Sequence, residues 1–342
     1  MKKLKIAITG GGTGGHLMVA KSLASELDNR DIECLFIGST KGQDREWFAN
    51  SPLFVKSYFL ESSGVMDKKG LGKVFSLLNI IKLSFSAFRI LKKERVDCVI
   101  SVGGYSAAPA SFAAKFARAK LFVHEQNFVV GRLNRLLKNI SDGFYSSYGK
   151  ATFNYPVQES FFKIARVRTK LKNIIFLGGS QGASFINSLA LQLAPNLTNM
   201  GISITHQCGK AQYEEMVNEY KKLGIKVNLF AFSKNIKDEL QKADIAISRA
   251  GASTVWELCA ALLPTIFIPY PLAANNHQYF NAKFLKEQGL GEVIEQQDVT
   301  KELILKTIKE LPLEKMSSGL KGSINLGGAK EIVDDILNKI ER

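Results

Sequence analysis

Several glycine-rich and polar stretches carry residue types suited to chemistry on a phosphorylated substrate. The first reads Thr9-Gly10-Gly11-Gly12-Thr13-Gly14-Gly15-His16. Five glycines in six residues let a backbone turn tightly and approach a ligand, and N–H groups at a helix start favour anions. Gly10, Gly12 and Gly15 satisfy the spacing GxGxxG. A dinucleotide loop also wants an acid ending the second strand, where this chain has Phe36-Ile37-Gly38-Ser39. A triphosphate loop wants Lys followed by Ser or Thr, where His16-Leu17 stands. The loop is built for close approach, but for neither of those ligands. His16 lies at its mouth, where it suits either a general base or a helix-start group that positions the loop.

Further stretches repeat the design. Gly103, Gly104 and Tyr105 follow an apolar run, and a short strand at 121–123 leads into His124-Glu125-Gln126-Asn127. That polar cluster is read as facing a crevice at a strand end, the alternative being a polar turn. Gly178-Gly179-Ser180-Gln181-Gly182 matches the GxSxG spacing of a nucleophile elbow, with Asp244 and His277 following in the required order. Asp244, however, falls at the start of its strand, so Ser180 is read as a donor to phosphate at a helix N-terminus. In Ser248-Arg249-Ala250-Gly251-Ala252-Ser253-Thr254-Val255-Trp256-Glu257, Ser253 or Thr254 can cap a helix, and the Glu257 carboxylate can accept two ribose hydroxyls or complement the helix dipole. Asn275-Asn276-His277-Gln278 opens another helix with groups suited to sugar hydroxyls, or simply to solvent.

The elements that position these residues alternate. Apolar runs at 4–9, 32–37, 97–102 and 121–123 read as buried parallel strands, separated by helix-length segments such as 17–27. The rhythm weakens at 145–170, read as the interdomain linker, and restarts with strands at 173–177, 202–207, 226–229, 244–248 and 265–269. The last segment, 328–340, reads as a helix. This is an α/β pattern of two doubly wound domains in tandem.

The 342 residues suit two domains. Four scattered cysteines form no CxxC pair or Cys/His cluster, which excludes a disulfide framework and a structural zinc site and points to a reducing compartment. No stretch has the ~20 apolar residues of a membrane span, so the expectation is a cytosolic chain that is neither secreted nor integral. The net charge of +15 favours anionic partners. It is uneven: residues 1–160 hold 23 basic and 13 acidic side chains, and residues 66–95 alone hold 8 and 2.

Taken together in this order, GGTGGH ending at His16, GGY at 103–105, HEQN at 124–127, GGSQG at 178–182, SRAGASTVWE at 248–257 and NHQYFNA at 276–282 resemble the MurG family across nearly the whole chain. The resemblance implies a GT-B fold, with two Rossmann-like doubly wound domains facing across a cleft: an acceptor and membrane-side domain at 1–157, onto which a helix at 328–342 packs back, and a UDP-GlcNAc-binding domain at 158–327. It implies inverting transfer of GlcNAc from UDP-GlcNAc to the C4 hydroxyl of MurNAc in undecaprenyl-diphospho-MurNAc-pentapeptide (lipid I), forming lipid II for peptidoglycan synthesis, cell shape and division. By the same resemblance, His16 is the catalytic base. Thr13, Gly14, Gly15, Asn127, Ser180, Gln181, Arg249, Ala252, Ser253, Thr254, Glu257, His277 and Gln278 line the donor. Gly103, Gly104, Tyr105 and Glu125 lie on the acceptor side. No DxD triplet occurs, so the expectation is no metal and no cofactor, with helix N-termini and cationic groups receiving the diphosphate.

Three departures stand out. Tyr155-Pro156-Val157-Gln158 lacks the family's linker arginine, for which Arg166, Arg168 or Arg249 is available. Phe232-Ser233-Lys234-Asn235-Ile236 differs around the uracil, where main-chain contacts suffice. His277 stands where relatives often have glutamine.

A lipid acceptor requires the bilayer. Val74, Leu77, Leu78, Ile81, Phe85 and Phe88 recur at helical spacing among Lys69, Lys73, Lys82, Arg89, Lys92 and Lys93. Residues 68–95 are read as lying on an anionic cytoplasmic leaflet, the alternative being a core helix with a basic face. The resemblance thus implies a peripheral enzyme at the cytoplasmic face of a bacterial inner membrane, near other cell-wall synthesis proteins. Two rivals share some features: a UDP-GlcNAc 2-epimerase or other GT-B enzyme with a soluble acceptor, and a basic nucleic-acid-binding protein. Against the last, the chain has no RNA-binding signature, and no nucleic-acid partner is expected.

Overall fold

Apolar runs of four to seven residues become inner strands, and the glycines that follow them become the turns into helices. The computed structural model describes residues 4–62, 71–149, 153–179, 182–233 and 235–341, without the side chains of 71–74. It divides into two compact units, residues 1–157 with 327–342, and residues 158–326.

In the first unit, β1 (Lys5–Thr9), β2 (Glu33–Ser39), β3 (Lys56–Leu60), β4 (Cys98–Ser101), β5 (Lys120–Glu125) and β6 (Gly143–Ser146) form one parallel sheet in the order β3-β2-β1-β4-β5-β6. In the second, β7 (Asn173–Leu177), β8 (Ser203–Gln207), β9 (Asn228–Phe230), β10 (Ile245–Ser248), β11 (Thr265–Phe267) and β12 (Glu292–Val293) form another, in the order β12-β11-β10-β7-β8-β9. Read from its other edge, the second sheet repeats the order of the first. Each sheet therefore has a switch point between its first and fourth strands, β1/β4 and β7/β10, where the chain leaves in opposite directions and a crevice opens.

Sheet faces are buried under helices. Ala7, Leu35, Val99, Leu121 and Val123 pack with Ala87, Leu91, Ala110 and Ala114 in the first unit. Ile174, Phe176, Ile245 and Ile266 pack with Ile186, Leu193 and Ile304 in the second. Each such side chain contributes about 1.5–3 kcal/mol by leaving water.

Three strands were not expected from the sequence: β3, β6 and β12. β6 falls inside the stretch read as linker. All three are sheet edges, where one side meets no neighbouring strand and the apolar run is short.

The helix Leu71–Glu94 faces inward through Leu83, Ala87 and Leu91. Phe75, Leu77, Leu78, Ile81 and Phe85 point outward, with Phe75 68% and Phe85 64% exposed. Leu77, Leu78, Ile81 and Phe85 of the stripe found by spacing are thus on the outer face of the helix, and Phe88 turns toward the core; the Val74 and Lys73 side chains lie outside those described. Lys69, among its expected cations, lies outside the described residues. Among the described residues no helix is long and apolar enough to cross a membrane.

The chain returns to the first unit at its end. The helix Gly328–Glu341 buries Ile332, Val333 and Ile336 and packs on the helix Gly14–Asp28. Arg30 pairs with Asp334 at 2.6 Å, and the Tyr145 hydroxyl donates to Asp335 at 2.7 Å. Gly328 sits on the backbone of residues 154–155: a Cβ there would lie 2.5 Å from the Tyr155 carbonyl oxygen. Gly328→Ala is therefore expected to lower the melting temperature by a few degrees, because helix or strand end must shift. Thermal denaturation followed by circular dichroism checks this; an unchanged midpoint contradicts it.

Candidate functional site

The carboxyl ends of β1 and β4 are pressed backbone to backbone. The Gly11 N–H donates to the Gly103 carbonyl at 3.1 Å, and a Cβ on Gly104 would strike the Gly11 carbonyl oxygen. Gly104 has φ +80° and Gly10 has φ +121°, so neither position accepts a side chain without strain. Two loops that are separate in sequence are thereby one structure. The ring of Tyr105 covers Gly12, leaving a Cβ there only 2.6 Å from Cε1. Burial, and then the nearby Asp44 charge, push the Tyr105 phenol above its usual range.

Gly14 and Gly15 open the helix Gly14–Asp28, with Thr13 exposed at its N-cap position. His16 is half-buried in the first turn, and its Nδ1 lies 2.9 Å from Thr13 Oγ1. The ring also flanks Gly103, whose hypothetical Cβ would be 3.4 Å from His16 Nε2 and 3.2 Å from Asn134 Nδ2.

The polar cluster after β5 differs from the expectation. β5 continues through His124 and Glu125, so His124, Glu125 and Gln126 are buried and do not face a crevice. Glu125 gathers a loop: Oε1 accepts from Asn127 N at 2.9 Å, and Oε2 accepts from Gly131 N and Asn134 Nδ2, each at 2.9 Å. It is a buried organiser of this loop. Asn127, half-buried, is the member of the cluster nearest solvent. Desolvation, and then His16, hold the His124 pKa down at about 3, so that ring is neutral. The Gln126 amide donates to the Val102 carbonyl at 3.0 Å, tying this loop to the end of β4.

In the second unit, Ser180 and Gln181 lie outside the described residues. Gly182 turns directly into the helix Ser184–Asn199. At the end of β10, Arg249 points inward. Its guanidinium donates to the Ile268 carbonyl at 3.0 Å, the Pro269 carbonyl at 3.1 Å and Gln296 Oε1 at 2.7 Å. It also lies over the rings of Phe185 and Tyr270. Its partners among the described residues include no carboxylate, so its charge is retained in a buried setting that lowers its pKa.

The helix Ala252–Ala260 begins earlier than expected. Gly251 is the N-cap, and Ser253 and Thr254 sit inside the first turn, not at the cap. Ala252 and Ser253 are buried, while Thr254 and Glu257 are partly open. Desolvation alone pushes the Glu257 carboxyl up to about 8. Gln278 joins two strand ends: its Oε1 accepts from Ala250 N at 3.2 Å and Tyr270 N at 3.0 Å. His277 Nδ1 lies 3.0 Å from the Ala274 carbonyl. The preceding Asn275 and Asn276 both adopt left-handed backbone, which asparagine tolerates.

Other sequence alternatives fare differently. Asp244 precedes β10 and accepts from Lys172 N and Asn173 N while pairing with Arg166 at 2.8 Å, so it is no triad acid. Arg168 is fully buried on the carbonyls of Arg166, Leu240, Ala243 and Ala261, and cannot replace the linker arginine. Among the described residues no group of three His, Cys, Asp or Glu side chains is placed to hold a metal. Sequence reasoning missed Asp44, Asn134, Asn281 and Gln296. A polar residue on the inner side of a short helix was the available signal for Asn134, which is buried at its first turns.

Two doubly wound units with a glycine loop at each switch point are those of a GT-B glycosyltransferase. Models of glycosyltransferase family 28 match both: its N-terminal domain over residues 6–146 and its C-terminal domain over residues 173–336. The chain belongs to that family and, within it, to the MurG family. It is 54% identical to the UDP-N-acetylglucosamine--N-acetylmuramyl-(pentapeptide) pyrophosphoryl-undecaprenol N-acetylglucosamine transferase of Campylobacter fetus, over 98% of this chain and 100% of that one. It is 48% identical to the same-named protein of Wolinella succinogenes, over 98% and 100%. The crystal structure of Acinetobacter baumannii MurG aligns with a TM-score of 0.78 at 26% identity, covering 98% of this chain and all of that one.

The raised Glu257 pKa has a stability consequence. The buried neutral acid stabilises the fold fully below pH ~4.5, and that contribution is lost as pH rises through about 8. Glu257→Gln removes the titration. Its melting temperature, relative to wild type, is expected to rise by a few degrees between pH 5 and pH 8.5. Calorimetric scans across that range check it; a constant difference contradicts it.

Proposed function

We propose that this chain transfers N-acetylglucosamine, with inversion, from UDP-GlcNAc to the C4 hydroxyl of MurNAc in lipid I, yielding lipid II. Near-full-length identity to relatives named for an N-acetylglucosamine transfer to pyrophosphoryl-undecaprenol-linked N-acetylmuramyl pentapeptide carries this reading. The reaction needs a base for the attacking hydroxyl and positive potential for the departing UDP.

His16 is the base. In the tautomer whose Nδ1–H donates to Thr13 Oγ1, the basic lone pair is on Nε2. Gly103, Gly104, Tyr105 and Glu125 shape the acceptor side, and Thr13, Gly14, Gly15 and Asn127 contact the donor. The donor lies on the second unit. The N-terminus of the helix Ala252–Ala260 and the retained charge of Arg249 supply positive potential for the diphosphate, with Ser180 and Gln181 completing its loop. Arg249 acts from behind, by fixing strand-end carbonyls. Glu257 accepts ribose hydroxyls; those donors favour its ionised form over the buried neutral one. His277 and Gln278 lie toward the sugar.

The lipid acceptor calls for contact with a bilayer, and the chain works as a peripheral enzyme on an anionic cytoplasmic leaflet. The exposed stripe of Phe75, Leu78, Ile81 and Phe85, flanked by Lys82, Arg89, Lys92 and Lys93, supports this. Each cation near such a surface adds about 1 kcal/mol.

Two measurements follow. UDP release from UDP-GlcNAc is expected to depend on a lipid I analogue, and His16→Ala to lower kcat by about 10²-fold or more. Acceptor-independent conversion to UDP-ManNAc contradicts the transferase reading, and near-normal kcat removes His16 as base. Exchange of Lys82, Lys92 and Lys93 for Glu is expected to reduce partition onto anionic vesicles at least tenfold, by sedimentation. Unchanged partition removes the leaflet contact.

A further inference from the structure

We propose that Asp44 is a positioning residue for the loop that carries His16. Asp44 opens the short helix Asp44–Phe48, beyond the end of β2, and is fully buried. Its Oδ1 accepts the Gly12 N–H at 2.5 Å, and its Oδ2 accepts the Ser39 N–H at 2.8 Å. Gly12, which follows β1, and Ser39, which ends β2, thus converge on one internal carboxylate.

The fit is close. Gly11 is seated directly on the carboxylate, where a Cβ would fall 2.7 Å from Asp44 Cγ. A buried carboxylate that accepts several hydrogen bonds from separate loops holds them in one arrangement, since losing any of them leaves a buried polar group unsatisfied. In a dinucleotide loop, a glycine amide at this place is aimed at a phosphate. Here Asp44 occupies the Gly12 amide, so the loop is held by its own protein anion and keeps its shape without a ligand.

The next residue after Gly12 is Thr13, whose hydroxyl contacts the His16 ring at 2.9 Å. Asp44 therefore acts on His16 through Gly12 and Thr13. Tyr105, on the other loop, lies against Gly12, so the carboxylate that holds Gly12 also bears on the interlocked pair. This inference rests on the proposed transferase reading, in which the His16 loop carries the base.

The test uses the full chain with a lipid I analogue. For Asp44→Asn, kcat is expected to fall at least tenfold, while the Kd for UDP-GlcNAc, measured by calorimetry, stays within twofold of wild type. Asp44→Glu keeps both carboxylate oxygens and is expected to restore most of kcat. A kcat within twofold of wild type for Asp44→Asn overturns the proposal. So does a loss of kcat in both variants that runs in step with weaker UDP-GlcNAc binding and a lower melting temperature, since a general loss of fold explains it. Wild-type turnover separates the two claims. Its absence overturns the transferase reading, whereas normal wild-type turnover with an unaffected Asp44→Asn variant overturns only the role of Asp44.

Discussion

The contact on which the first unit's chemistry depends is between two main chains. Gly11 and Gly103 meet by a hydrogen bond beyond the ends of adjacent parallel strands, and a Cβ on Gly10 or Gly104 would strike the opposite backbone. Everything that surrounds His16 follows from that approach: Tyr105 over Gly12, the amide of Asn134 beside Gly103, and the Glu125 hub that holds Asn134. Glycine abundance in this loop reflects loop-on-loop packing as much as ligand access. A nucleotide loop and this loop share a spacing because both need bare backbone; they differ in what the backbone touches.

The inner strands and the glycine turns were legible in the sequence, because a fully buried parallel strand must be a nearly continuous apolar run and its exit must turn sharply. β1, β4, β7 and β10, which frame the two switch points, were all anticipated. β3, β6 and β12 were not, since an edge strand tolerates Lys56, Ser57, Gly143 or Glu292. The site divides in the same way. Glycines, His16 and Glu257 announce themselves by type and place. Asp44 does not, because its role comes from the Gly11–Gly12 backbone meeting the end of β2 in space. Glu125 was legible as special, but its burial was not, because the strand runs on past its apolar residues.

The second unit holds two ionisable groups in unusual settings. Arg249 is surrounded by carbonyls, an amide oxygen and aromatic rings, and Glu257 by desolvating neighbours alone. Among the described residues neither forms an ion pair; this keeps a positive potential, and an acid that ligand donors can ionise, available for a ligand, at some cost to the fold.

The chain crosses between its units twice, at 157–158 and again at 326–327. The second unit is therefore an insertion within the first. All six strands of the first sheet precede the insert, whereas the helix Gly328–Glu341, which packs on the helix Gly14–Asp28, follows it. Ile332, Val333 and Ile336, and the ties from Arg30 and Tyr145, must wait for the whole insert to be synthesised. A nascent chain cut short anywhere in the second unit leaves the first unit without that helix. Vectorial synthesis in this architecture works as a check on the insert, with the helix that follows it as the latch.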